Sequence, residues 1–185
     1  MALKLLFLQT TFFLLLFFTS CNNTLACFSI TDDNNFVNPV LSANFNLLPD
    51  INPFTDCWLS SIKIRSDRNN WRLIANRSGP LPSFSSSNPS ELIKPSDLSI
   101  LYKLQSFGNA SNDGAFLVSP FASITDLSSI QSGTLIVSGN KRSGNSCSPY
   151  NSNFYKLINK ICIYRDFVFD VGEYNGQISY LLVSP

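Results

Sequence analysis

Two kinds of side chain in this 185-residue sequence could take part in chemistry: five cysteines and twelve carboxylates, with no histidine among them. Without histidine no Ser-His or Cys-His nucleophile pair can form, and the commonest metal ligand is missing. The cysteines are Cys21, Cys27, Cys57, Cys147 and Cys162; none form a Cys-x-x-Cys pair, so their spacing does not resemble a zinc site. Carboxylates pair at Asp32-Asp33 and at Asp166 with Asp170. A glycosidase works with two carboxylates, but both pairs stand beside Asn and Gly turns, where Asp is an ordinary turn former. Trp58 and Trp71 could stack on sugar rings, yet strand aromatics more commonly pack in a core. No glycine-rich phosphate loop, metal motif or nucleophile motif occurs. The residues therefore point away from an enzyme, and no cofactor or metal is expected.

What remains for the cysteines is cross-linking, and the N-terminus predicts a compartment that allows it. Residues 1–20 open with Lys4 as their only charge and continue as a Leu- and Phe-rich run. That is the pattern of a secretory signal peptide. The run is interrupted by Gln9, Thr10 and Thr11, whereas a membrane-spanning helix needs ~20 predominantly apolar residues. Thr24 and Ala26 place small residues for cleavage before Cys27, giving a signal at 1–26 and a mature chain of 27–185. Cleavage after Cys21 competes, and Phe18-Thr19-Ser20-Cys21 fits a bacterial lipoprotein signal poorly. Removal of Lys4 leaves a formally neutral chain. That balance gives no case for nucleic acid, whose binders carry a basic stripe. The expected product is secreted, extracellular (or vacuolar or apoplastic in a plant), free of the membrane after cleavage, and monomeric. Four cysteines in such a chain predict two disulfides, with three connectivities. Cys147–Cys162 is preferred because it closes a short loop, and Cys27–Cys57 follows by elimination. Asn76-Arg77-Ser78 and Asn109-Ala110-Ser111 are N-glycan sequons; Asn88 precedes Pro89 and is excluded.

The elements that must position these residues read as short strands. Hydrophobic residues make up 44% of the chain and charged ones 14%, so a packed core is expected rather than disorder. Strands are predicted at 36–40, 45–48, 58–64, 71–75, 98–104, 115–118, 134–137, 154–158, 161–164, 167–171 and 178–183. Within 58–64, Trp58, Ser60, Ile62 and Ile64 alternate with Leu59, Ser61, Lys63 and Arg65, both sets mixed in character. Turn signals separate the segments at Asn69-Asn70, Asn112-Asp113-Gly114, Ser138-Gly139-Asn140 and Asn175-Gly176. Asn175-Gly176 is the strongest hairpin signal, since both residues tolerate positive φ. Residues 78–95, rich in Ser and Pro, read as an exposed loop, 90–98 has room for one helical turn limited by Pro89 and Pro95, and 131–149 reads as loop around one strand. Eleven or twelve strands imply an all-β sandwich or closed barrel.

Three blocks resemble the plant Kunitz-type (soybean trypsin inhibitor-like) family. The first runs from Ile30-Thr31-Asp32-Asp33 through Phe36-Val37 to Phe45-Asn46-Leu47-Leu48-Pro49, and the second is Asp56-Cys57-Trp58-Leu59-Ser60-Ser61-Ile62. The third comprises Phe154-Tyr155-Lys156-Leu157, Asp170-Val171-Gly172-Glu173-Tyr174-Asn175-Gly176 and Leu181-Leu182-Val183. The chain departs from the family in having no cysteine between Cys57 and Cys147, an extra Cys27, and no strand after Val183. The resemblance implies a β-trefoil: a barrel of about twelve short strands with pseudo-three-fold symmetry. It further implies a serine protease inhibitor, serving plant defence, that offers a substrate-like loop to the target protease. That loop would be Arg77, Ser78, Gly79, Pro80, Leu81, Pro82 and Ser83, with the reactive bond at Leu81-Pro82 or Arg77-Ser78. Asn34, Asn35 or Asn38 would brace it from inside. The competing expectation is a secreted binding module without inhibitory activity, taking a glycan or a protein.

Overall fold

The computed structural model describes residues 28–34, 36–37, 40–47, 55–77, 84–86, 94–145, 148, 150–164 and 172–185. The expected signal peptide 1–26, Cys27 and Cys147 lie outside them. The described residues form an all-β fold. Its strands are β1 (Ser29–Asp32), β2 (Val40–Leu47), β3 (Thr55–Arg65), β4 (Trp71–Arg77), β5 (Phe84–Ser86), β6 (Leu98–Phe107), β7 (Ala115–Leu117), β8 (Thr125–Asp126), β9 (Thr134–Gly139), β10 (Phe154–Tyr164) and β11 (Gly172–Val183). The only helical pieces among them are single 3₁₀ turns at Pro95–Asp97 and Leu127–Ser129. The helical turn expected in 90–98 is the one at Pro95–Asp97, which starts at the proline that fits a first helical position.

All strand pairs are antiparallel and fall into two sheets. One runs β1-β3-β10-β6-β8; the other runs β2-β11-β4-β9-β7, with β5 also paired to β11. Apart from the step from β4 to β5, each strand lies in the opposite sheet from its predecessor. The pairings nest: β2 with β11, β3 with β10, β4 with β9, β6 with β8. A long two-stranded ribbon folded over itself gives this order, which is that of a jelly roll. β1 and β7 extend its two sheets at their edges. The expected three-fold set of hairpins is not what these strands form. No two consecutive strands pair with each other, and no closed barrel occurs among the described residues.

The hairpin expected at Asn175-Gly176 is likewise corrected. Both residues lie inside β11, opposite Asn44 and Ala43 of β2. Ladder hydrogen bonds to β2 on one edge and to β5 and β4 on the other outweigh the local turn preference. The separate strands expected at 154–158 and 161–164 are one strand, β10, because Asn159 faces the core and donates to Ser60 Oγ at 3.1 Å. Asn69-Asn70 does turn the chain, with Asn70 at φ 56°. The strand expected at 167–171 lies outside the described residues.

Alternation along each strand fills the space between the sheets. Ile62 and Ile64 of β3, Ile100 and Tyr102 of β6, Leu157 and Ile161 of β10, and Leu73 of β4 are all buried. The two mixed sets of β3 now separate: Ile62 and Ile64 face inward, Leu59, Ser61 and Lys63 line the outer face, and Arg65 is covered there, donating to Thr31 Oγ1 at 2.9 Å. Trp71 is wholly buried against Tyr155, their rings 5.5 Å apart. It needs Gly139 opposite, since a Cβ there would sit 1.9 Å from the indole. So Gly139, expected in a turn, belongs to β9 for lack of room for a side chain.

The expected disulfide pairing is corrected too. Cys162 bonds to Cys57, not to Cys147. The β3–β10 register sets Cys57 directly opposite Cys162, with Cα atoms 4.1 Å apart, within reach of one bridge. Proximity in sequence was the wrong guide because the nested ribbon brings remote segments together. With Cys57 taken by Cys162, the Cys27–Cys57 pairing also falls.

Candidate functional site

The residues expected to form an inhibitory loop are only partly within the described residues. Arg77 closes β4 opposite Ile178 and is half-buried. Its Nη1 is buried with no hydrogen-bond partner. Burial pushes the guanidinium below its ordinary value, with the charge of Asp126 opposing. Ser78, Gly79, Pro80, Leu81, Pro82 and Ser83 lie outside the described residues, as do Asn35 and Asn38. Asn34 is exposed in the turn after β1. A specificity-pocket side chain should stand clear of its own scaffold, and Arg77 does not.

The other sequence-derived candidates separate. Trp71 is core, its Nε1 donating to the Lys141 carbonyl at 3.0 Å. Trp58 is half-buried and packs against the same core. Neither forms an exposed sugar platform. Asp32 is a turn residue whose carboxylate accepts from the Phe36 N–H at 2.8 Å. Asp33 bridges Lys156 at 2.9 Å and Lys63 at 3.8 Å and accepts from Ser61 Oγ. Burial pushes its carboxyl up, but the hydrogen bonds from Ser61 and Lys156 and the charges of Lys156 and Lys63 outweigh it and hold it below the ordinary value. Asp166 and Asp170 lie outside the described residues. No group of three metal-ligating side chains occurs among the described residues. The two sequons differ: Asn76 sits inside β4, its Oδ1 accepting from the Gly133 N–H at 2.7 Å, whereas Asn109 is exposed in the turn after β6.

The site that sequence reasoning missed is where the sandwich stays open. β10 covers one edge of β6 along its whole length, but β8 covers the other edge only at Ser99 and Ile100. From Leu101 to Phe107 that edge has no strand partner among the described residues. β7, at the rim of the opposite sheet, pairs only with β9. Between these two rims lies a groove of about 640 Å³. Leu104 and Gln105 form one wall, Ala115 and Phe116 the other, and Tyr155 the floor. Phe116 is 48% exposed. Burial, then the charge of Asp113, pushes the Tyr155 phenol above its ordinary value, so the floor stays neutral. The 108–114 turn closes one end, with Ser106 Oγ donating to Asn112 Oδ1. Gly114 is required there, because a Cβ would sit 2.0 Å from the Tyr155 hydroxyl. The groove thus offers apolar side-chain positions alongside a stretch of strand edge with no ladder partner among the described residues.

One signal in the sequence could have found it. Residues 119–133 hold seven Ser, Thr or Gly and one Pro, too little β-propensity to cover a ten-residue neighbour. No family model matches the chain, nor does any curated protein or solved structure.

Proposed function

We propose that the chain is a secreted, non-enzymatic binding module that takes an extended segment of a partner protein into the groove between β6 and β7. The observation that carries this reading is the uncovered edge of β6 beside apolar walls. An exposed sheet edge is a template for a further strand, and natural folds normally cover or charge it. Strand addition satisfies the edge through main-chain hydrogen bonds, each worth about 1 kcal/mol net, while alternate side chains of the guest fill pockets. Leu104, Ala115 and Leu117 face such pockets. The Cys57–Cys162 bridge fits an oxidising compartment, and it clamps β3 to β10, the neighbour of β6 in the same sheet.

The inhibitor expectation required a three-fold barrel holding residues 77–83 outward. The sheet order and the position of Arg77 do not favour it, so the binding module is preferred. The test is selection of peptides from a random display library on the purified mature protein. Selected peptides should alternate apolar and polar residues, slow amide exchange at residues 101–106, and lose binding to Leu104→Glu and Leu117→Glu. Peptides indifferent to both substitutions would refute the site. Stoichiometric inhibition of trypsin, chymotrypsin or subtilisin by the same preparation would bring back the reactive-loop reading in its place.

A further inference from the structure

The outer face of the β1-β3-β10-β6-β8 sheet is distinct from the groove and carries a different chemistry. Register and alternation place Lys63 of β3, Lys156 and Lys160 of β10, and Lys103 of β6 on this one surface. Against these cations stand Asp33, leaning over from the turn after β1, and Asp126 at the rim on β8. The outer face of the other sheet has a single described cation on β4, Arg72, among Ile74, Asn76, Ser179 and Leu181. The whole chain is formally +1. Its charge is therefore balanced globally but segregated locally, which net charge alone conceals.

The cations are ordered along the strands. Lys63 and Lys156 are direct neighbours, Lys103 stands one outward row further, and Lys160 one row beyond that, opposite Leu59 and Leu101. Successive outward rows are about 6.7 Å apart. Lys63 and Lys156 share Asp33, which leaves that pair a net positive charge. Lys103 and Lys160 are exposed and have no ion-pair partner among the described residues. Leu59, 63% exposed, and the half-buried Leu101 and Ile158 lie between the charges.

We infer that this face binds an anionic polysaccharide, one bearing carboxylate or sulfate groups along its length. Four lysines in successive rows match a polymer with a repeating charge. Lysine is a hydrated point charge that accepts either group without a fixed geometry. The apolar rows between them suit the C–H faces of sugar rings. The surface lacks what nucleic acid would use. Its aromatics, Phe107 and Phe154, stack on each other at 4.9 Å instead of standing free as base platforms. No helix or protruding ribbon is present among the described residues to enter a duplex groove.

The test measures Kd of the purified mature protein for heparin, polygalacturonate and neutral dextran at 50 and 150 mM salt. A single-stranded oligonucleotide and phosphatidylserine vesicles are run in parallel. Binding to at least one charged polysaccharide, none to dextran, and a fall in affinity with salt are expected. Lys103→Ser/Lys160→Ser should raise Kd about tenfold, since each exposed charge contributes modestly. Arg72→Ser, on the opposite face, should leave it unchanged. Circular dichroism and melting temperature verify that the variants fold. The inference is overturned if no charged polysaccharide binds at 50 mM salt, if Arg72→Ser weakens binding as much as the lysine pair, or if the oligonucleotide or vesicles bind more tightly.

Discussion

Replacing Cys57 and Cys162 together by serine should remove a large part of the folding free energy. The bridge joins residues separated by 105 positions. On a chain-entropy basis, closing a loop of that size restricts the unfolded ensemble by about 4.7 kcal/mol, against about 2–4 kcal/mol for typical bridges. The two serines add little further cost, because Cys57 stands exposed on the outer face and Cys162 is only just buried. A total stability of about 5–15 kcal/mol makes a loss of about 3–4 kcal/mol large. For a domain of this size it corresponds to roughly a 10 °C fall in Tm. Urea denaturation followed by far-UV circular dichroism gives the difference, with an unchanged native spectrum showing that the sandwich is retained and a larger m-value expected from the less restricted unfolded chain. Non-reducing peptide mapping of the parent protein should recover Cys57 joined to Cys162. A loss below about 1 kcal/mol, or a Cys147–Cys162 peptide, would refute the assigned β3–β10 register.

Gly139→Ala should destabilise by about 1–3 kcal/mol through overpacking against Trp71, readable as a lower Tm and a shifted tryptophan emission. Tyr102 and Tyr180 share a buried hydroxyl pair at 3.0 Å, and burial pushes both phenols well above the ordinary value. Tyr102→Phe alone should cost about 1–3 kcal/mol by orphaning the other hydroxyl, and the double Phe variant should cost less than the two singles summed. Hydrogen bonds from Lys141 and Ser111, then the Lys141 charge, hold the exposed Asp113 carboxyl down at about 2. Its folded value is depressed, so its small stabilising contribution is present above the ordinary carboxylate value of 3.8 and is lost as pH falls towards 2. A carboxyl ¹³C titration should show Asp113 returning towards 3.8 in Lys141→Met.

The all-β class was legible because strand-forming runs and turn residues alternate along the chain. The Trp58–Ile64 and Trp71–Ala75 strands fall within β3 and β4 for that reason. Topology was not legible, since short-range signals cannot report which remote strands pair. Asn175-Gly176 shows this: its dipeptide chemistry favours a hairpin, yet β2, β4 and β5 draw it into a ladder. The preference for the shortest disulfide loop failed on the same ground. Arg77 read as a loop residue from its Gly-Pro neighbours, although its alternation with Trp71, Leu73 and Ala75 extends β4 through it. The basic face was hidden because Lys63, Lys103, Lys156 and Lys160 are scattered in sequence and gathered only by register.

The nesting of the strands sets a timetable for the molecule's birth. β2 pairs with β11, and β3, beyond its short ladder with β1, pairs with β10, both at the far end of the polypeptide. An emerging chain therefore cannot complete either sheet until its last strands arrive, and high contact order makes the final closure slow. Such a delay keeps the long-range ladders open, and the two halves of the Cys57–Cys162 bridge apart, until synthesis is nearly finished.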